Sequence, residues 1–522
     1  MNQVLLLHKN HAFHPHLSYT FRTMMTALGI RSSTRCRCGS CPHGHDGDVP
    51  KVFYCSGEDL QKTRGLGGVL IHPSGIFGED YLTARSLDQQ CADRIHLDGI
   101  GFPVILGSRT SPPDRYEVLA RSEREKYWVA SEGKAVETNI DPISASFLEL
   151  SLYREVIARE LRGNSGDGGE LDQNNREPLV DAQARFLGSL MERCGCTASS
   201  EPKWPGGHRF AVCLTHDIDQ ITARTALNWY QFDMKRRGGR RVMASIPSML
   251  PRFVRALLRF RSPFWTFDKI RSIEKGKGVR SSFFFIPFRD GSSEHDYGIA
   301  ESKKVQGEAR DLSRGGWEVG LHTVGDARID GEARAMSSLG LTTHSVRYHR
   351  LKFRAPESWE RIEEAGLLSD CSVGYNGRAG FRAGTCFPFM LFDPVAGREV
   401  PVMEVPLSLM DSSFYWYQEV SPEKLFGTFR ELLDVVEDHG GVLVILWHNN
   451  FFDDTLYREW ADIYSRIIDM VKKRGAFIGT VSEVSDWWRN RMANNALELV
   501  GGGSEEMGRE NGRGGFHASP RH

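Results

Sequence analysis

The segment Phe210-Ala211-Val212-Cys213-Leu214-Thr215-His216-Asp217-Ile218-Asp219 is an apolar run that ends in two carboxylates one residue apart. Such a run, bounded by polar residues, reads as a buried strand. The C-terminal mouths of strands are where open and barrel α/β folds place their chemistry. Side chains alternate along a strand, so Asp217 and Asp219 lean into one cavity. Two like charges that close are costly unless a cation or a proton lies between them. An aspartate pair after a strand can also do no more than cap a following helix.

Outward from this segment the chain alternates regularly between residues 208 and 490. Strand-like runs lie at 210–215, 281–287, 317–321, 402–407 and 442–447. Ser262-Pro263 supplies an N-cap and a first-turn proline for a helix reaching Lys275 and closed by Gly276. Ser421-Pro422 does the same for a helix ending at Gly440-Gly441. Trp460, Ile463, Ile467, Met470 and Val471 form an apolar stripe at helical spacing, a core face that implies no cofactor. Strands alternating with helices over this length point to a parallel sheet or a (β/α) barrel.

Residues 1–200 mix apolar runs at 52–55, 68–72 and 102–106 with helix-like segments at 19–28, 144–162 and 178–193. That fits a smaller α/β domain ahead of the barrel, with Pro205-Gly206-Gly207 as the boundary. Residues 163–177 are rich in Gly, Asn and Asp and read as an exposed loop; 500–522 read as a disordered, low-complexity tail. An insertion at 220–262 is basic: Lys235-Arg236-Arg237 and Arg240-Arg241 precede a stripe of Leu250, Phe253, Val254, Leu257 and Leu258. A basic amphipathic helix docks on its own domain, the favoured reading, or lies on anionic lipid. Cys36, Cys38 and Cys41, followed by His43 and His45, could hold zinc, but the cluster lacks the distant second half that closes a structural site.

The chain has 522 residues, which implies more than one domain. Its 40% hydrophobic and 25% charged content is that of a soluble globular protein. A net charge of −1 removes any bulk electrostatic argument for a nucleic-acid partner. No run approaches the apolar length of a membrane span, and Met1–His8 lack the basic region of a secretion signal. The expectation is a cytoplasmic protein with free thiols, peripheral membrane contact staying open through the basic insertion.

Three further polar elements sit where active-site loops are expected. His322 and Asp326 follow the 317–321 run four residues apart, so one helical turn would put both on one face as metal ligands. His448 follows the apolar run 442–447, and Tyr348-His349-Arg350 through Arg354-Ala355-Pro356 leads into a helix at 357–365. Acid or imidazole groups at successive strand ends converge in space.

Here the chain resembles a family. Thr215-His216-Asp217-Ile218-Asp219 is similar to the first motif, T-x-D-x-D, of polysaccharide deacetylases (NodB homology, carbohydrate esterase family four). Gly320-Leu321-His322-Thr323 resembles the second motif, Arg354-Ala355-Pro356 the third, and Leu446-Trp447-His448 the last. Arg347-Tyr348-His349-Arg350-Leu351, Gly380–Phe389 and Asp486-Trp487-Trp488 resemble a cytoplasmic subgroup with an extra N-terminal α/β domain. The resemblance implies a distorted (β/α) barrel preceded by that smaller domain. It also implies a hydrolase in which Asp217 is the general base, Asp219 and His322 bind a divalent metal, usually zinc, and His448 is the general acid. The family's second motif normally ends in a histidine at the place of Asp326. Asp326 itself or His349 would then be the third ligand, and the sequence leaves both open. Arg354 is the first candidate to keep the base ionised and Arg382 the second.

The function expected is metal-dependent hydrolysis of the acetamide of an N-acetylated sugar, in surface polysaccharide or glycolipid biosynthesis. A lipid- or nucleotide-linked substrate would suit the basic insertion. The competing readings are a carbohydrate-binding protein that has lost turnover, and another metal-dependent amidohydrolase on the same scaffold. Phe414-Tyr415-Trp416-Tyr417, taken as part of an alternating strand, would expose about half its rings, either to stack on sugar faces or to pack in the core.

Overall fold

A computed structural model describes residues 3–10, 12–37, 49–55, 66–77, 94–97, 100–103, 113–121, 126–161, 176–195, 202–222, 262–289, 291, 294–453 and 457–495. Cys38 to His45 of the cysteine cluster, loop residues 163–175, the basic stretch 223–261 and the tail from 500 lie outside the described residues.

Two sheets organise the chain. The first is built from β1 (Gln3–His8), β2 (Arg31–Cys36), β3 (Lys51–Tyr54) and β4 (Gly68–Ile71); β5 (Arg94–Leu97) and β6 (Ile100–Pro103) form a separate antiparallel pair; β7 (Glu117–Arg121), β8 (Lys126–Glu132) and β9 (Ala135–Thr138) complete it. Its order is β2-β1-β3-β4-β9-β8-β7. The first five of these run parallel, and β9, β8 and β7 are joined antiparallel.

The second sheet takes β10 (Ala211–Ile218), β11 (Ser282–Phe285), β12 (Glu318–Thr323), β13 (Ser345–Tyr348), β14 (Ser369–Asp370), β15 (Phe389–Asp393), β16 (Arg398–Glu404), β17 (Leu407–Met410), β18 (Val442–Leu446) and β19 (Phe477–Gly479). The order is β15-β16-β14-β13-β12-β11-β10-β18-β17, with β19 also on β10. Only the β15–β16 pair is antiparallel among these pairings. Every residue of β10 is buried, as expected for a parallel strand covered on both faces. Between β16 and β17 lie only Val405 and Pro406, and a proline cannot continue a sheet ladder. Val405 N still donates to Asp370 O on one side, and Leu407 pairs with Val444 on the other. One kinked strand therefore touches both flanks, and the sheet curls round on itself.

The strand-like runs of the second half all lie on this sheet, but five of its strands escaped pattern reading. β13, β14, β17 and β19 span four residues or fewer, too short for a period to show, and β15 is an antiparallel edge strand. The helix expected from Ser262 begins later, at Phe267, and runs to Lys277. Ser262 Oγ instead accepts from Phe264 N in the turn ahead of it, and left-handed Gly278, not Gly276, closes the helix. Ser421 does cap a helix, Pro422–His439, which Gly440 ends. The 144–162 segment is two helices, Pro142–Leu150 and Tyr153–Leu161, broken where Leu152 takes a positive φ of 49°.

One large apolar core runs through both sheets, and a smaller cluster of Leu5, Leu7, Phe53, Leu70 and Ala135 stands apart on the first sheet. The helix His14–Leu28 of the first half reaches the second: Tyr19 donates to Met390 O and stacks on Phe392, and Arg22 pairs with Glu399. Asp181 of the helix Leu179–Arg193 accepts from Thr385 Oγ1 and Cys386 N. Trp204, ahead of the expected boundary, is buried and stacks on Trp488. No helix among the described residues is long and apolar enough to cross a membrane.

Candidate active site

The carboxyl ends of β10, β12, β13, β17 and β18 meet at a cleft of about 440 Å³, within the usual range for small-molecule sites. Asp217 and Asp219 come from β10, His349 follows β13, and His448 follows β18; all four line the cleft. His322 stands on β12 just behind them and is fully buried. Gly320 makes room for this packing. A Cβ there would come within 2.6 Å of the Phe284 ring and 2.9 Å of Ser345 Oγ.

One atom each from Asp219, His322 and His349 lies within 4.8 Å of the other two, the arrangement a metal ion requires. His322 Nδ1 lies 3.0 Å from the carbonyl of Arg347. A carbonyl only accepts, so that nitrogen carries the proton and Nε2 turns a lone pair to the cleft. It faces Asp219 Oδ1 at 3.2 Å, and neither buried atom has a hydrogen-bond partner. Two buried acceptors in contact need a cation or a shared proton between them. The donor set of two imidazoles and one carboxylate suits zinc or another first-row divalent ion and leaves further coordination positions open. The residues present therefore fit a divalent metal.

The electrostatics are strong. Burial opposes ionisation of Asp219, yet His322, His349 and His448 hold its carboxyl well below the usual carboxylate range. Burial lowers His322, but Asp217, Asp219 and the Arg347 carbonyl outweigh it and raise its pKa. Burial pushes His349 down to about 3. Immediately after His349, Arg350 and Leu351 both adopt positive φ, 55° and 53°. Non-glycine residues in that region cost roughly 1–2 kcal/mol each and gather at functional sites.

Asp217 is 3% exposed and is not one of the three converging residues. The fully buried Arg347 places NH1 3.4 Å from its Oδ1 and 2.9 Å from Thr215 Oγ1. The same guanidinium is held from behind by the carbonyl and thiol of Cys371. Beneath β10, buried Glu274 accepts from Ser281, Trp317 and Tyr464 and contacts His216 Nε2 at 3.0 Å, tying the strand to its neighbours.

His448 occupies the opposite wall. Its Nδ1 donates to Asp411 Oδ1 at 2.6 Å and its backbone N to Oδ2 at 2.7 Å, while Nε2 stands 3.7 Å from Asp219. Burial lowers its pKa, but Asp411, then Asp219 and Asp217, push it up to about 9.

The structure thus gathers Asp217, Asp219, His322, His349 and His448 and leaves Asp326, Arg354 and Arg382 elsewhere. Asp326 accepts from the Tyr348 hydroxyl at 2.6 Å and is absent from the converging group. No helical turn links it to His322: His322 is still in β12, and the chain leaves that strand through a bend at Val324 and Gly325, whose φ is 158°. Arg354 is exposed, its backbone N donating to Ser358 Oγ. The arginine beside Asp217 is Arg347. Arg382 is bound through Nε and Nη2 to Glu155, bridging the two halves of the chain. Asp411 was also missed, although an acid at the end of the apolar run 405–410 is the signal that revealed Asp217. The aromatic run is not a strand: Ser413–Tyr417 form a wide π-helical turn after β17. That turn buries Phe414 and Tyr415 and lets Trp416 and Tyr417 line the cleft, where the Tyr417 hydroxyl accepts from Asn376.

No family model matches the chain, and no curated protein matches it. Among solved structures it is similar to a proposed polysaccharide deacetylase from Mycobacterium smegmatis, with 17% identity, a TM-score of 0.38, and coverage of 59% of this chain and 99% of that one. A second is a proposed polysaccharide deacetylase involved in O-antigen biosynthesis from Bordetella bronchiseptica, with 16% identity, a TM-score of 0.27, and coverage of 56% and 93%. A third is the catalytic domain of a peptidoglycan N-acetylglucosamine deacetylase from Eubacterium rectale, with 12% identity, a TM-score of 0.26, and coverage of 54% and 93%.

Proposed function

We propose that the chain is a metal-dependent hydrolase that removes the acetyl group from an N-acetylated sugar. The observation that carries this reading is the contact between the two partnerless buried acceptors, Asp219 Oδ1 and His322 Nε2, with an acid–base pair flanking it. Asp219, His322 and His349 would hold a divalent ion, zinc being the first candidate. Bound there, such an ion supplies Lewis acidity toward the acetyl oxygen and lowers the pKa of water.

The remaining chemistry belongs to the chain's own groups. Asp217, with the Arg347 guanidinium 3.4 Å from its Oδ1, takes the proton of the attacking water. His448, protonated at neutral pH, delivers a proton to the departing nitrogen, and Asp411 fixes the ring so that Nε2 presents it. Trp416, Tyr417 and Asn376 give the cleft an aromatic and amide wall suited to a sugar ring. The direct test is acetate release from a panel of N-acetylated sugars, free, lipid-linked and nucleotide-linked. Stoichiometric metal without acetate release from any of them would point to another amidohydrolase, and absence of metal to a binding protein.

The pH profile is a second check. A group raised above its ordinary value keeps its proton up to the folded pKa, so activity that needs His448 protonated is lost as pH rises through it. The folded value is about 9 against an ordinary 6.5, and a divalent ion on Asp219 offsets part of that carboxylate's pull. The alkaline limb should therefore fall between these values. Asp411→Asn should move it toward 6.5 by about one unit or more. The stability contributed by the His448–Asp411 pair has the same sign: present below 6.5 and lost through about 9. An unmoved limb in Asp411→Asn would mean that His448 is not the acid.

A further inference from the structure

We propose that the first sheet carries a second ligand site, for a small phosphate-bearing molecule, in the crevice between β1 and β3. Its five parallel strands are ordered β2-β1-β3-β4-β9. Successive strands are added on one side of β1 and then on the other, so strand order reverses between β1 and β3. In open α/β sheets ligands bind at such a reversal, outside the carboxyl ends of the strands. A cavity of about 290 Å³ lies at that place. It is lined by Lys9 and Asn10 directly after β1, Tyr54 and Cys55 at the end of β3, and Pro73, Gly75 and Phe77 after β4. Topology and cavity are independent observations, and they coincide.

The lining selects an anion. It includes an ammonium group, Lys9, and no carboxylate among its described residues, whereas the main cleft is walled by Asp217, Asp219, Glu294 and Glu419. Among the described residues, two acids close to the crevice are engaged: Asp141 accepts from the Tyr54 hydroxyl, Ser74 N and Ser144 N, and Glu137 pairs with His72. The helix His14–Leu28 starts five residues after β1, so its N-terminus lies at the same end of the sheet, and its first turn holds no acidic residue. Helix N-termini and lysines together favour phosphate. His14, at that first turn, adds an imidazole stacked on His8. Tyr54, Pro73 and Phe77 offer an apolar wall to an organic body. At Gly75, a Cβ would meet nothing within 4 Å. The volume is at the small end of ligand sites, which fits a mononucleotide or a sugar phosphate and not a dinucleotide.

Cys55 provides a local reporter, because its partly exposed side chain lines the cavity and is in no disulfide. Alkylation of Cys55 in the full chain is timed by mass spectrometry with inorganic phosphate, UMP, glucose 1-phosphate, uridine and glucose. The expected result is that UMP or glucose 1-phosphate slows the reaction several-fold while uridine and glucose do not. Lys9→Glu, at an exposed position, should weaken that protection by about tenfold and leave acetate release unchanged. Calorimetry with the same probes gives a readout that does not depend on the thiol. The inference is overturned if neither phosphorylated probe binds at about 10 mM, if uridine protects as well as UMP, or if Lys9→Glu binds as tightly as the parent.

Discussion

Turnover of the Asp217→Asn protein should fall by about 10³-fold, with folding and metal content unchanged. Asparagine keeps the shape of the side chain and can still accept from Arg347 NH1 through its carbonyl oxygen. It cannot take a proton from water, and a positioned base contributes roughly 10²–10⁴ in rate. Arg347 loses its counter-charge but retains Thr215 and both Cys371 contacts, so the cost in stability should be modest, about 1–3 kcal/mol. Steady-state kinetics, circular dichroism and elemental analysis on one preparation separate these effects. A variant that keeps more than about a tenth of the parent rate would remove Asp217 from the role of base.

His322→Ala should be inactive for a different reason, through loss of the metal. Outer-shell partners of metal ligands typically account for 10–100-fold in affinity, so a direct ligand should exceed about 100-fold. The same change bears on stability. A ligand that binds only the folded chain stabilises it by about 4 kcal/mol when present at a thousand times its dissociation constant. A chelator should therefore lower the melting temperature of the parent protein and leave that of His322→Ala almost unmoved. Asp219→Ala should behave in the same way. Equal chelator sensitivity in parent and variant would place the stabilising ion away from this cluster.

How far the site was legible in the sequence follows from how each residue reaches it. Asp217, Asp219 and His448 each close an apolar run, and parallel strands bring such ends together, so pattern alone located them. His322 directly follows the 317–321 run, as the last residue but one of β12, and was found the same way. Arg347 was not. It stands in a strand of four residues, and its contact with Asp217 crosses the curled sheet from β13 to β10, which linear spacing does not encode. The choice between Asp326 and His349 turned on backbone conformation: spacing suggested a helical turn after His322, whereas His322 is still in β12 and the chain bends after it, and it is the tight turn after β13 that delivers His349. Asp411 was hidden because Pro406 splits its strand and obscures the apolar run before it. In the first half of the chain, short strands separated by long connections gave no period, so the β2-β1-β3-β4-β9 order emerged only from the coordinates.

The central claim is that one divalent ion sits between Asp219, His322 and His349. The most direct measurement is an anomalous difference map, recorded at the zinc edge, from crystals of the full chain purified with zinc. The account predicts one peak within bonding distance, about 2.0–2.2 Å, of one carboxylate oxygen and two imidazole nitrogens from those residues. A zinc peak confined to the Cys36–His45 segment, or no peak beside Asp219 in zinc-saturated protein, would contradict it.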